Sequence, residues 1–160
     1  MHLELSKEQE KKLKDFSHEV IERNKQHNLT GHKDAKTFYN LQVVDCISAY
    51  SVCKKTVAEN IVDCGSGAGL PSVVWAILSP EKKFYSIDKN EKKIQFQKQL
   101  LIKLNIENVE THLSKIEEFN LDKQHTVVIK AFSSVAKTIE QLKNKQHQKN
   151  LIFLKKDDKK

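Results

Sequence analysis

The 160-residue, 18.5 kDa chain fits one domain with one core. Its 28 Lys and Arg outnumber 21 Asp and Glu, for a formal charge of +7 and a pI near 9.2, which makes a polyanion a fitting partner, although lysine-rich surfaces also serve solubility. Three cysteines without a CxxC pair, and no apolar run near the ~20 residues of a membrane span, argue against a disulfide scaffold, a thiolate metal site and a transmembrane helix; a soluble, cytoplasmic protein with no metal is expected.

Ser6-Lys7-Glu8-Gln9 reads as a capping box opening a helix to about His27, with the apolar stripe Leu13, Phe16, Val20 and Ile21. Asn28-Leu29-Thr30-Gly31 breaks that pattern. A second helix is predicted from about Ala35 to Val57, carrying Phe38, Leu41, Val44, Ile47 and Val52. Residues 1–57 are thus an N-terminal helical part of a single domain, and residues 58–156 its core. Within that core, β-rich runs at 60–64, 84–88, 108–112, 126–130 and 150–154 alternate with helices at 71–79, 91–104 and 134 to about 146. Pro71 suits a first helical position, Asn90 caps the second helix, and a fourth crossover at 115–121 has room for only one or two turns. This alternation predicts an α/β fold with a mostly parallel sheet.

Only four glycines occur, and three stand at every second position in Asp63-Cys64-Gly65-Ser66-Gly67-Ala68-Gly69-Leu70-Pro71, directly after the first strand. A ligand pressing on bare backbone at the carboxyl end of a strand needs such a loop. The spacing is not GxGxxG, because Leu70 stands where the last glycine belongs, and nothing reads GxxxxGK[ST]. Asp63 would repel a pyrophosphate and attract a cofactor carrying an ammonium and a sulfonium, as S-adenosyl-L-methionine does. Asp88 ends the second strand 19 residues after Gly69, where a carboxylate can accept both hydroxyls of an adenosine ribose.

Further segments join this pattern: Asn28-Leu29-Thr30, Leu41 to Cys46 with its acid at Asp45, Lys115-Ile116-Glu117-Glu118-Phe119, Lys130-Ala131-Phe132-Ser133-Ser134, and Leu151 to Lys155. In this order, over about residues 10 to 156, the chain resembles the RsmG (GidB) methyltransferases, which modify guanine N7 in 16S ribosomal RNA, at guanine 527 in the family. The resemblance implies a Rossmann-like class I S-adenosylmethionine-dependent methyltransferase sheet, shortened after the fifth strand where the family continues through two more. It also implies that Gly65, Gly67, Gly69 and Leu70 border the methionine end of the cofactor, with Asp63 near the ammonium. Asp88 would hold the ribose, and the Ile116-Glu117 backbone would lie along the adenine edge.

Lys130 stands where the family has a functional arginine near the target base, and Phe132 is close enough in sequence to stack there. The implied partner is 16S rRNA or the 30S subunit. Lysine keeps charge but loses the planar fork of arginine. Leu41-Gln42 replaces an Arg-His pair, and Ser72 a glycine. An RNA-binding module that keeps the fold without strong catalysis is the alternative these departures leave open.

Overall fold

The computed structural model describes residues 3–130 and 134–155. The capping box forms as the sequence predicts: the Gln9 amide donates to Ser6 Oγ at 3.1 Å and the Ser6 amide to Gln9 Oε1 at 3.0 Å. Helix α1 (Lys7–His27) buries Leu13, Phe16 and Val20 completely and ends at Asn28 in a left-handed conformation. Asn24, one turn earlier, organises the following linker by accepting from the Thr30 amide at 2.8 Å and donating to the His32 carbonyl at 3.2 Å.

The second predicted helix differs from expectation. It comprises α2 (Ala35–Phe38), a π turn (Tyr39–Val43) and α3 (Val44–Cys53), and it stops before Val57, which leaves the helix to enter the core. A π turn adds one residue to the repeat, which rotates the buried face. The inward residues are Phe38, Val43, Cys46 and Tyr50, whereas Leu41, Val44 and Val52 of the expected stripe are exposed.

Five strands follow: β1 (Asn60–Cys64), β2 (Lys83–Asp88), β3 (Val109–Leu113), β4 (His125–Lys130) and β5 (Gln148–Leu154). All pairings are parallel, in the order β3-β2-β1-β4-β5. Among the described residues, the outer edge of β5 pairs with no strand. The crossover helices are α4 (Ser72–Leu78), α5 (Glu91–Lys103) and α6 (Val135–Leu142), while residues 115–121 make a turn rather than a helix. Pro71 precedes α4 instead of starting it, and the Leu70–Pro71 peptide is cis.

Alternating residues of each strand feed two clusters, as a sheet covered on both faces requires. Ile61, Phe84 and Val128 join the larger one beneath α1, α3, α4 and α5. Val62, Tyr85, Ile87, Val127 and Ile129 join the smaller one with Ile116 and Leu142. Every residue of α4 is buried, consistent with a helix that is apolar all round. Trp75 locks α4 to α3: its Nε1 donates to the Cys46 carbonyl at 2.8 Å, and its ring lies 5.4 Å from that of Tyr50. The N-terminal helices and the sheet therefore share one core. No helix among the described residues is long and apolar enough to cross a membrane.

Candidate functional site

Strand order reverses between β1 and β4, so the crevice for a ligand lies beyond the carboxyl ends of these strands. A cavity of about 570 Å³ occupies this place. Its wall takes Gly65 from the end of β1, Asp88 from β2, Ile116 and Glu117 from the turn after β3, and Lys130 from β4. Lys89, Lys93, Lys115 and Lys137 surround it. Another cavity, about 500 Å³ between Gln9, Ile77 and Asn108, lies at the opposite ends of the strands and carries none of the candidate site residues.

The glycine loop owes its shape to positive φ angles of 72°, 57° and 102° at Gly65, Gly67 and Gly69. Gly69 is the tightest: a Cβ there would stand 2.5 Å from Val73 Cγ2. The amides of Gly65 and Ser66 both donate to the Ile87 carbonyl, joining the loop to β2. Asp88 grips it from the other side, one carboxylate oxygen accepting from the Gly67 amide at 2.8 Å and the other from the Asn90 amide at 2.8 Å.

Asp63 is fully buried behind the loop and does not line the cavity. Its Oδ2 accepts from the Ser72 amide at 2.9 Å, holding the first turn of α4, while Oδ1 has no hydrogen-bond partner among the described residues. Burial pushes this carboxyl up to about 7, against the opposing pull of the Ser72 hydrogen bonds. Gly67, Gly69 and Leu70 likewise stand outside the cavity wall, Leu70 packing against the larger core cluster.

Four residues that sequence reasoning missed tie these parts together. Ser72 Oγ donates to Ser86 Oγ at 3.2 Å, Ser86 Oγ to Gln97 Oε1 at 2.6 Å, and Gln97 Nε2 to both Ser66 Oγ at 2.9 Å and the Gly67 carbonyl at 2.7 Å. All four side chains are buried. The peptide units flanking Gly67 are thus pinned by Asp88 on one side and Gln97 on the other. The available signal was polar residues on apolar faces: Ser86 within Phe84-Tyr85-Ser86-Ile87, and Gln97 between Ile94 and Leu101 on the inner side of α5.

The N-terminal layer also reaches the site. Lys130 Nζ donates to Asp45 Oδ2 of α3 at 2.6 Å, with the lysine side chain only 11% exposed and the aspartate 48%. Residues 131–133, including Phe132, lie outside the described residues. Cys46 and Cys64 are not nucleophiles here, since burial pushes the Cys46 thiol up to about 12 and raises that of Cys64 further. His32 approaches Gln42, and His112 faces Glu110; neither lines the cavity. Among the described residues no group of His, Cys, Asp and Glu is arranged to hold a metal.

A parallel sheet with this strand order and a glycine loop at the switch point is the Rossmann-like fold of methyltransferases. A solved S-adenosylmethionine-dependent methyltransferase from Aquifex aeolicus matches with a TM-score of 0.50 and 23% identity over 67% of this chain and 60% of that one. A Methanococcus maripaludis protein assigned to the same class matches with a TM-score of 0.56 and 14% identity over 95% and 66%. The family model described as rRNA small subunit methyltransferase G matches residues 9–160, and the chain belongs to that family. Ribosomal RNA small subunit methyltransferase G of Psychrobacter sp. (strain PRwf-1) is 35% identical over 88% of this chain and 62% of its own length. That of Brachyspira hyodysenteriae is 32% identical over 90% and 71%. The chain spans about 62–65% of the length of its first two curated relatives.

Proposed function

We propose that the chain binds S-adenosyl-L-methionine in the cavity at the strand ends and transfers its methyl group to N7 of a guanine in 16S ribosomal RNA, on the free RNA or within the 30S subunit. The observation that carries this reading is the convergence of Gly65, Asp88, Ile116, Glu117 and Lys130, from four separate strand ends, on one cavity. Family membership supports the ribosomal RNA substrate.

The residues present fit the cofactor. Asp63, whose Oδ1 has no partner among the described residues, lies behind the loop, where it would act on an ammonium at a distance rather than by contact, and Gly67 has open space where a side chain would stand. Asp88 would hold the ribose hydroxyls, Ile116 and Glu117 would border the adenine, and Gly65 would stand in the wall at the methionine end, with Gly67, Gly69 and Leu70 shaping the loop behind it. When bound, the cofactor supplies an electrophilic methyl on a sulfonium.

The protein's part is alignment. Guanine N7 carries a free lone pair and no proton, so no general base is needed. Holding nucleophile and methyl in near-attack geometry contributes about 7–11 kcal/mol in well-oriented systems. Lys130, at the end of β4, would position the target nucleotide, and Lys89, Lys93 and Lys137 at the rim would meet RNA phosphates, giving an affinity that falls steeply with salt.

The test is transfer of a tritiated methyl group to 30S subunits and to 16S rRNA from a strain lacking the modification, followed by nucleoside analysis. The expected product is 7-methylguanosine, strongly reduced with Asp88→Asn. Absence of label on both substrates, from a protein that binds the cofactor, overturns the reading.

A further inference from the structure

The cavity wall carries five lysines, Lys89, Lys93, Lys115, Lys130 and Lys137, against two acids, Asp88 and Glu117. Such a wall suits a polyanion, yet S-adenosyl-L-methionine carries a net positive charge, its sulfonium being uncompensated by the ammonium and carboxylate that balance each other. Like charges in a partly desolvated cavity repel strongly, whereas exposed charges are screened by water and salt. Lys89, Lys115 and Lys137 are exposed and Lys93 half-buried, so water attenuates their fields. Lys130 is different: its side chain is 89% withdrawn from solvent. The group placed against it is Asp45, at 2.6 Å, which does not itself line the cavity.

We infer that Asp45 is a positioning residue that neutralises and orients Lys130, so that a cavity built for a polyanionic substrate also admits a cationic cofactor. The inference rests on the proposed function and deepens it: it assigns the N-terminal helical layer a part in cofactor discrimination through a residue that touches neither cofactor nor substrate. Lys130 is inside the cavity because it ends β4, the strand beside the switch point. Asp45 reaches it because the π turn rotates α3, turning Val43 and Cys46 inward and leaving position 45 at the border of core and solvent. With the pair intact, Lys130 retains donors for RNA while its charge toward the sulfonium is largely cancelled.

Two ligands that differ only at the reacting centre test this. S-adenosyl-L-methionine and S-adenosyl-L-homocysteine share adenosine, ammonium and carboxylate, but the second has a neutral thioether. Calorimetric titration of both into the full chain is expected to show that Asp45→Asn weakens S-adenosyl-L-methionine about tenfold, equivalent to about 1.4 kcal/mol, and S-adenosyl-L-homocysteine less than twofold. Asp45→Glu should keep the wild-type ratio, and Lys130→Met in the Asp45→Asn background should restore it. A purely structural ion pair would move both affinities together, and that result, or no change with either ligand, overturns the inference while leaving the proposed function standing. Wild-type protein that binds neither ligand overturns both. Should Asp45→Asn fail to fold, Asp45→Glu and the double variant decide: a ligand ratio in the double variant that departs from wild type overturns the inference.

Discussion

The two sides of the cavity are held in unlike ways. On the β1–β2 side, the glycine loop is fixed by a continuous buried network running from Asp63 through Ser72, Ser86 and Gln97 to Ser66 and Gly67, with Asp88 closing the far end. On the β4 side, Lys130 is held, among the described residues, by one ion pair whose acid is half exposed. A connected buried network has few low-energy arrangements, because each broken bond leaves a desolvated group unpaired, and in this one Asp63 Oδ1 alone lacks a partner among the described residues. An ion pair whose acid is half exposed, with its ammonium at a cavity wall, can trade that partner for water or an incoming ligand more readily than a buried network can rearrange. The contrast suits the proposed function, in which one half would present a fixed cradle to a small cofactor and the other half would meet a large, incoming RNA.

Breaking the fixed side should have the largest consequence. Gly69→Ala forces a Cβ into Val73 and a non-glycine residue into φ 102°, and should lower stability by roughly 2–4 kcal/mol, read from the urea midpoint. Gln97→Leu roughly keeps the volume but removes one partner each from Ser86 Oγ, Ser66 Oγ and the Gly67 carbonyl, leaving Ser86 only its bond from Ser72 and Ser66 only its bond to the Ile87 carbonyl. It should cost about 1–3 kcal/mol and weaken cofactor binding, whereas an unchanged midpoint would show that water replaces the amide.

The fixed side also sets a pH dependence. The Asp63 carboxyl is raised to about 7 in the folded protein, against about 3.8 when unfolded, so between these values the folded state binds more protons. Stability should therefore be greatest below about pH 4 as far as this group is concerned, and fall as pH rises toward 7. Asp63→Asn keeps an acceptor for the Ser72 amide and should flatten that slope, bringing its largest gain over wild type above pH 7. Equal slopes for the two proteins in pH-dependent denaturation would contradict the assignment.

Smallest of all should be the global effect on the open side. Asp45→Asn is expected to cost no more than about 1 kcal/mol of stability while changing ligand selectivity. A loss as large as that of Gln97→Leu would erase the distinction between the two sides.

The same contrast separates what could be read in the sequence from what could not. The strands were legible to within one or two residues, because Ile61-Val62 or Val127-Val128-Ile129 are β-rich runs bounded by turn residues. Ser6 and Asn90 announced their helices through local hydrogen bonds. The second helix was misread because a π turn shifts the buried face without any compositional mark, so Leu41 and Val52 looked inward. Within the site, the glycines and the two acids stood out by spacing, but the Ser72–Ser86–Gln97 chain exists only once β1 and β2 pair in register and α5 packs over them. The Asp45–Lys130 contact joins residues 85 positions apart, and no local rule sets that distance.

The central claim, that the cavity at the carboxyl ends of the strands holds the cofactor, is most directly tested by titrating S-adenosyl-L-homocysteine into the ¹⁵N-labelled protein and following backbone amide shifts. The largest changes should fall at Gly65, Gly67, Asp88, Ile116 and Glu117, with smaller ones at Lys130. Changes centred instead on Gln9, Ile77 and Asn108, around the cavity at the other end of the sheet, would contradict it.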